Sequence, residues 1–94
     1  MTRKEILDNA ARIVGGKDGQ HGSAENNFDK IARLWYAYKG VPFTAKDVAV
    51  MMILLKVARI ASGHQCDDNF VDIAGYAACG GELENPDTDT GYQD

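Results

Sequence analysis

The sequence predicts an all-α protein folded as a four-helix bundle. Three observations support this prediction. Apolar residues recur at helical spacing in four separate segments. Glycine-rich or proline-containing stretches interrupt the helical pattern between segments. No segment shows the strict alternation of apolar and polar residues that is typical of a β-strand. At 94 residues the chain is one small domain, which either folds alone with modest stability or gains stability by oligomerising.

The first two predicted helices have recognisable ends. Thr2 and Glu5 have capping-box spacing, so the first helix begins after Thr2. The stretch GGKDGQHGS, which holds four glycines in residues 15–23, ends that helix. Ser23 can cap the second helix, and Gly40 supplies the glycine that commonly follows a helix C-terminus.

Thr44 is predicted to cap the third helix, which is apolar nearly all round. Such a helix lies centrally in a bundle or at a subunit interface, and in either case it belongs to the core. The fourth helix is predicted to begin near Asp67 or Asp68. We expect residues 1–81 to form the helical domain and residues 82–94 to form an acidic, disordered tail.

Charge and composition exclude several classes of protein. The net charge is −4, but residues 82–94 carry five acids and no base, which leaves nine acids and ten bases, a net of +1, in residues 1–81. A nearly neutral body argues against DNA binding. The N-terminus lacks the apolar core of a signal peptide, and the longest apolar run is too short to span a membrane. Two scattered cysteines indicate free thiols rather than a disulfide framework, so we expect a soluble, cytoplasmic protein.

Two pairs of acids suggest a metal site. Glu25 and Asp29 lie one turn apart on the second predicted helix, and Asp68 and Asp72 repeat this spacing on the fourth. Like charges at this spacing cost a few tenths of a kcal/mol per pair. If the two helices pack side by side, the four carboxylates converge, and Mg²⁺ prefers such oxygen ligands together with phosphate oxygens. The alternative is structural: one aspartate caps a helix, Asp29 pairs with Arg33, and Asp72 pairs with a base on another helix.

Further candidate residues point to a phosphate-bearing ligand. Lys56 and Arg59 interrupt the apolar third helix and could clamp a phosphate, or could pair with Asp68 and Asp72. The remaining candidates surround the opening of the second helix, whose free amides suit an anion: His21, Ser23 and Asn26. Asn26 could recognise a base or sugar edge. The loop lacks the spacing of a P-loop, and an ordinary flexible connection is the alternative.

Three stretches carry a family resemblance: HGSAENNFDKIARLWYAY, DVAVMMILLKVARIAS and DDNFVDIAGYAACGGE. Together they resemble a family of short phage and prophage proteins of unassigned function. This family is similar to the nucleotide-modification-associated domains and, more distantly, to the all-α MazG-like nucleoside triphosphate pyrophosphohydrolases.

The MazG-like resemblance implies a dimeric or tetrameric helical bundle in which acids from two helices hold Mg²⁺ and a metal-activated water attacks the α–β phosphate linkage. Carried over by position, Glu25 and Asp29 form the first acidic pair and Asp68 and Asp72 the second. Lys56 and Arg59 would then face the phosphates. The family pattern has glutamates three residues apart, whereas here the spacing is four and three of the four acids are aspartates.

We therefore expect a nucleotide-binding protein of phage type that forms a homo-oligomer, a dimer or a tetramer. Whether it also acts as a Mg²⁺-dependent nucleotide pyrophosphohydrolase is left open by the sequence. The alternative is a non-catalytic sponge that sequesters a nucleotide or cyclic nucleotide used as an immune signal by the host. A second alternative is a helical protein-interaction module with no small ligand.

Overall fold

The computed structural model describes residues 1–15 and 24–84, with the side chains of residues 24–26 and 67 left out. These residues form four α-helices, and the described ranges contain no β-strand. The helices are α1 (Arg3–Val14), α2 (Ala24–Lys39), α3 (Ala45–Ala61) and α4 (Asp67–Glu84). The predicted all-α class and the count of four helices are confirmed for this part of the chain. None of these four helices is both long and apolar enough to cross a membrane.

The helix ends follow the local sequence as predicted. At the start of α1, the Thr2 side chain accepts a hydrogen bond from the Glu5 amide, and the Glu5 carboxylate accepts one from the Thr2 amide. Thr44 and Asp47 make the same reciprocal pair at the start of α3. After α2, Gly40 adopts a φ of 75°, a left-handed conformation that favours glycine, and the chain leaves the helix there.

The central element of the bundle is α4, because it contacts each of the other three helices. The most extensive contact is between α3 and α4, followed by α1 with α4 and α2 with α3. Small residues explain how α4 can lie so close to its neighbours. A Cβ atom built at Gly80 would lie 3.1 Å from the Ala49 Cβ on α3, so this approach depends on the absence of a side chain.

The hydrophobic core joins α2, α3 and α4. Its buried residues on α2 and α3 are Phe28, Ala32, Val48 and Ala49, and Tyr76, Cys79 and Leu83 of α4 pack against them. Ala10 of α1 and Val71 of α4 are buried as well. Two aromatic contacts fix the position of α2. The Phe28 and Tyr76 rings are 6.1 Å apart, and Trp35 meets Phe43 edge to face with centroids 5.6 Å apart.

The fourth helix continues to Glu84, three residues into the segment that the sequence assigns to the acidic tail. Two contacts account for this extension. Leu83 packs against the core, and the Glu84 carboxylate lies 3.5 Å from the Lys46 ammonium on α3. Residues 85–94, the rest of the predicted tail, lie outside the described residues.

Candidate functional site

Lys56 and Arg59, the two cations in the second half of α3, both face α4. The helices α3 and α4 are antiparallel, since Lys46 meets Glu84 at one end and Arg59 meets Asn69 at the other. Between these contacts, the Lys56 ammonium lies 2.9 Å from the Asp72 carboxylate. Only 17% of the Lys56 side chain and 33% of the Asp72 side chain are exposed, so this ion pair is partly shielded from water. The structural alternative proposed for Lys56 and Asp72, an ion pair between helices, is therefore present.

Arg59 is held by a different partner from the one that the sequence suggests. Its Nε donates to the Asn69 Oδ1 at 3.1 Å, and the Asn69 Nδ2 donates to the carbonyl of His64 at 3.0 Å. Asn69 is only 1% exposed, and both ends of its amide are satisfied. These bonds connect α3, α4 and the turn between them, so their first role is to fix the antiparallel helix pair.

Sequence reasoning missed Asn69, although a signal was present. On α4, helical spacing aligns Asn69 with the residues that pack against α3, and the same stripe contains Asp72, Tyr76, Cys79 and Leu83. A polar amide at the first position of an otherwise half-buried stripe indicates a buried hydrogen-bonding role.

A cleft of about 130 Å³ lies where α1, the start of α2 and α4 meet. Its lining is apolar or aromatic except for Cys79 and Asp72, and the full set is Ala10, Ile13, Val14, Phe28, Val71, Asp72, Gly75, Tyr76 and Cys79. Asp72 therefore takes part in two features, since its carboxylate pairs with Lys56 and the residue lines the cleft.

The acids of α2 lie towards the same end of α4 as Asp72. The contact of Trp35 with Phe43 places the end of α2 beside the start of α3, which in turn lies beside the end of α4. Phe28, near the start of α2, contacts Tyr76, which lies earlier in α4 than its end. Since the ends of α2 and α4 both lie towards the start of α3, the two helices run in the same direction. Glu25 precedes Phe28 by about one turn, as Asp72 precedes Tyr76. The Glu25 side chain itself lies outside the described residues.

The other predicted metal ligands are solvent-facing. Asp29 and Asp68 are both exposed. Among the side chains that the structure describes, no three of the His, Cys, Asp and Glu groups come close enough to hold one metal ion. Of the four predicted metal ligands, Asp29 and Asp68 are therefore exposed and Asp72 is paired with Lys56. The side chain of the fourth, Glu25, lies outside the described residues.

The predicted anion site at the start of α2 falls on residues outside the description. His21 and Ser23 lie in residues 16–23, and the side chain of Asn26 is also among those left out. In the sequence, residues 16–23 connect α1 and α2, the two helices that contribute Val14 and Phe28 to the cleft. The role of His21, Ser23 and Asn26 in binding an anion stays a prediction.

The cysteines differ in their surroundings, and both are free thiols. Cys66 is exposed in the turn before α4, whereas Cys79 lines the cleft and is half-buried. Burial raises the pKa of the Cys79 thiol, and the negative charge of Glu82, one turn later, raises it further. Cys79 is therefore protonated at neutral pH and a poor nucleophile.

Comparison with known proteins identifies the family. The family model described as "Domain of unknown function (DUF6378)" matches residues 5–84, which is most of the chain and ends at the last residue of α4. The chain belongs to this family.

Two curated phage proteins are similar to this chain. One is the "Gene 55 protein" of Mycobacterium phage L5, which is 49% identical over 84 residues, or 87% of this chain and 54% of the relative. The other is the "Gene 55 protein" of Mycobacterium phage D29, which is 38% identical over 77 residues, or 81% of this chain and 51% of the relative. The chain thus spans about half the length of these curated relatives. No solved structure matches the chain.

Proposed function

We propose that this member of the DUF6378 family binds a nucleotide, with one ring in the cleft and the phosphates beside Lys56 and Asp72. The observation that carries the proposal is the position of Asp72, which lines an apolar cleft and pairs with a cation from another helix. Nucleotides combine a flat, weakly polar ring with a strongly charged tail. An apolar cleft with a charged group at its margin suits that combination.

The size of the cleft fits part of a nucleotide. Small-molecule pockets usually measure about 300–1,000 Å³, and the cleft measures about 130 Å³. It therefore accommodates one ring and leaves the sugar and phosphates outside. Tyr76 and Phe28 contribute aromatic surface to its wall, on which a base could stack.

The charges at the margin of the cleft suit a phosphate bound together with Mg²⁺. Asp72 and Asp68 lie one turn apart and would hold the ion, because Mg²⁺ often uses only one or two carboxylates and completes its shell with water and phosphate oxygens. Lys56, no longer neutralised by Asp72, would then bind a phosphate oxygen. A bound Mg²⁺ would neutralise phosphate charge and activate a coordinated water.

Pyrophosphohydrolysis and sequestration use the same binding site in this proposal. The MazG-like resemblance supports hydrolysis, with Glu25 and Asp29 as the first acidic pair, beside Asp68 and Asp72 as the second. The phage relatives are compatible with a sponge that holds a cyclic or other nucleotide signal of the host without consuming it. In both cases the protein acts in the cytoplasm of the infected cell.

One incubation separates these activities. The purified chain is mixed with a panel of nucleoside triphosphates, deoxynucleoside triphosphates and cyclic nucleotides, with and without Mg²⁺. Each mixture is then chromatographed after the protein has been removed by filtration, and again after it has been denatured. A nucleoside monophosphate that forms only with Mg²⁺ would support hydrolysis. A nucleotide that is retained by the folded protein and released unchanged on denaturation would support sequestration.

Variants at the margin of the cleft test where binding occurs. We expect Lys56→Met and Asp72→Asn each to weaken nucleotide binding at least about tenfold, because each removes a charge that the proposal assigns to the phosphate or the ion. Asp8→Asn is the matched control, because this exposed aspartate lies on the side of α1 opposite the cleft-lining Ala10 and Val14.

The same variants decide whether the acids are needed for turnover. If Asp68→Asn and Asp72→Asn abolish product formation but retain some binding, the hydrolase is supported. If both variants retain binding and turnover in full, the two acids take no part in the reaction and the proposed placement of the ion at Asp68 and Asp72 fails. If the unmodified protein neither retains nor alters any nucleotide of the panel, nucleotide binding itself is disproved.

The exposed apolar face of α3 favours a second candidate function, a helical protein-interaction module. This function requires no small ligand, so it would remain if the nucleotide panel gave no result. It predicts a loss of partner binding on substitution of α3 surface residues, with no effect of Lys56→Met.

A further inference from the structure

The most unusual surface of the molecule is one side of α3. On this side the exposed residues are all apolar from Val50 to Ala61, and they form two adjoining stripes: Val50, Leu54, Val57 and Ala61, and Met51, Leu55 and Ala58. The five larger side chains are 40–59% exposed. The charged residues in this stretch, Lys56 and Arg59, instead contact α4. We call these seven residues the α3 face.

We propose that the α3 face is the contact surface between two copies of this chain, packed antiparallel about a twofold axis that passes near Leu54. A twofold contact uses the same patch on both copies, so the patch must complement itself when it is rotated by half a turn. The shape and the charge of the α3 face both meet this requirement.

The sizes of the residues along the α3 face favour the antiparallel arrangement. Its N-terminal end carries Val50 and Met51, and its C-terminal end carries the small residues Ala58 and Ala61. When two such helices run in opposite directions, the large end of one meets the small end of the other. Ala58 then leaves room for the Val50 or Met51 of the second copy, and Leu54 meets its own equivalent at the centre.

The absence of charge on the α3 face permits a second copy to bind there. The whole chain has a net charge of −4, so two copies repel each other at long range. The α3 face itself carries no charge, and its contact therefore buries no unpaired ionic group. A partner that bound through charged side chains would find no complementary group on this surface.

The α3 face alone is smaller than a standard dimer interface. Its five larger residues are 40–59% exposed, and the largest apolar patches on monomers, which are often functional, measure roughly 300–600 Å². Each partner in a standard interface buries roughly 800 Å². Residues that flank the α3 face must supply the remainder, so we expect a dimer that dissociates on dilution.

Sedimentation measurements on the full chain test the proposal. The chain mass is 10.2 kDa, and we expect the average mass to rise towards twice this value as the concentration increases. We expect Leu54→Glu to raise the dissociation constant at least about 100-fold, because it places two carboxylates at the centre of an apolar contact. Leu7→Glu is the matched control, since Leu7 is 63% exposed on α1 and Leu54 is 59% exposed on α3.

A cross-linking experiment covers the case in which Leu54→Glu fails to fold. In a chain carrying Cys66→Ser, the added substitution Leu54→Cys should give a covalent dimer with a short bis-maleimide. The Cys66→Ser chain that carries Leu7→Cys should give no covalent dimer, and neither should the Cys66→Ser chain alone. Each of three results would overturn the proposal. The first is a wild-type chain that stays monomeric up to about 100 µM. The second is a folded Leu54→Glu variant with an unchanged dissociation constant, and the third is equal cross-linking of the Leu7→Cys and Leu54→Cys variants.

Discussion

The two sides of α4 are built differently. Towards α3, Gly80 allows a close approach to Ala49, and Asp72 and Asn69 bind the cations of α3. Towards α1, the contact is looser and leaves a cleft lined by apolar side chains. A single helix thus forms one closely packed, polar-bonded contact and one open, apolar contact. Asp72 belongs to both, and this is why the proposed ligand site is placed there.

The largest effect on this contrast should come from Asn69, in the closely packed contact. We expect Asn69→Ala to lower the free energy of unfolding by about 2 kcal/mol, because it removes the two hydrogen bonds to Arg59 and His64 and leaves the buried position of the amide empty. Urea unfolding followed by circular dichroism measures the change. Asn27→Ala, at an exposed position on α2, is the control and should alter stability by less than about 0.5 kcal/mol.

The glycines of α4 provide the second test, because each faces a different surrounding. An added Cβ at Gly81 meets no atom within 4 Å, so Gly81→Ala should stabilise the helix by up to about 1 kcal/mol. Gly80→Ala should be about 1–2 kcal/mol less stable than Gly81→Ala, since its Cβ would lie 3.1 Å from the Ala49 Cβ, which is fixed to the backbone of α3.

Gly75 faces the open side of α4 and should respond less than Gly80. Its added Cβ would meet the Val14 Cγ1 at 3.2 Å, at the end of a partly exposed side chain that can rotate away. We expect Gly75→Ala to fall between the other two glycine variants in thermal unfolding. If Gly75→Ala were as destabilising as Gly80→Ala, the two sides of α4 would be equally close-packed and the contrast would be lost.

The Lys56–Asp72 pair should contribute about 1 kcal/mol, since it is more shielded than an ordinary surface pair. A double-mutant cycle with Lys56→Met and Asp72→Asn measures this coupling directly. The exposed Lys4–Asp8 pair on α1 is the matched comparison, and its coupling should stay below about 0.5 kcal/mol. Equal couplings in the two cycles would show that burial between α3 and α4 adds nothing to the pair.

Local signals made much of the fold predictable. The capping pair Thr2–Glu5, the cap at Thr44 and the helix end at Gly40 each depend on residues close in sequence, and each was confirmed. The extension of α4 to Glu84 was not foreseen, because it depends on Lys46 from another helix. Two glycines at positions 80 and 81 normally weaken a helix, and tertiary packing at Gly80 overrides this preference.

The candidate site was harder to predict for the same reason. Spacing along α3 and α4 showed that Lys56 could reach an acid of α4, but not which acid it would pair with. That Arg59 would bind an amide rather than a carboxylate depends on the burial of Asn69, which only the packed structure shows. The cleft was not foreseen either, because it is formed by three helices whose mutual orientation no local pattern specifies.

The smallest expected effect is a difference in rate between the two thiols. Burial and the charge of Glu82 raise the pKa of Cys79, so a smaller fraction of this thiol than of an unperturbed thiol is ionised at pH 8, and fewer reactive thiolates are present. We expect Cys79 to react with a disulfide reagent at least several-fold more slowly than the exposed Cys66. The Cys79→Ser variant should lose only the slow phase, and this loss would assign the slow phase to Cys79.

A bound nucleotide should affect the two thiols differently. Because Cys79 lines the cleft and Cys66 does not, a nucleotide bound in the cleft should slow only the reaction of Cys79 further. Slowing of both phases alike would instead place the ligand elsewhere or indicate a general stabilisation of the fold.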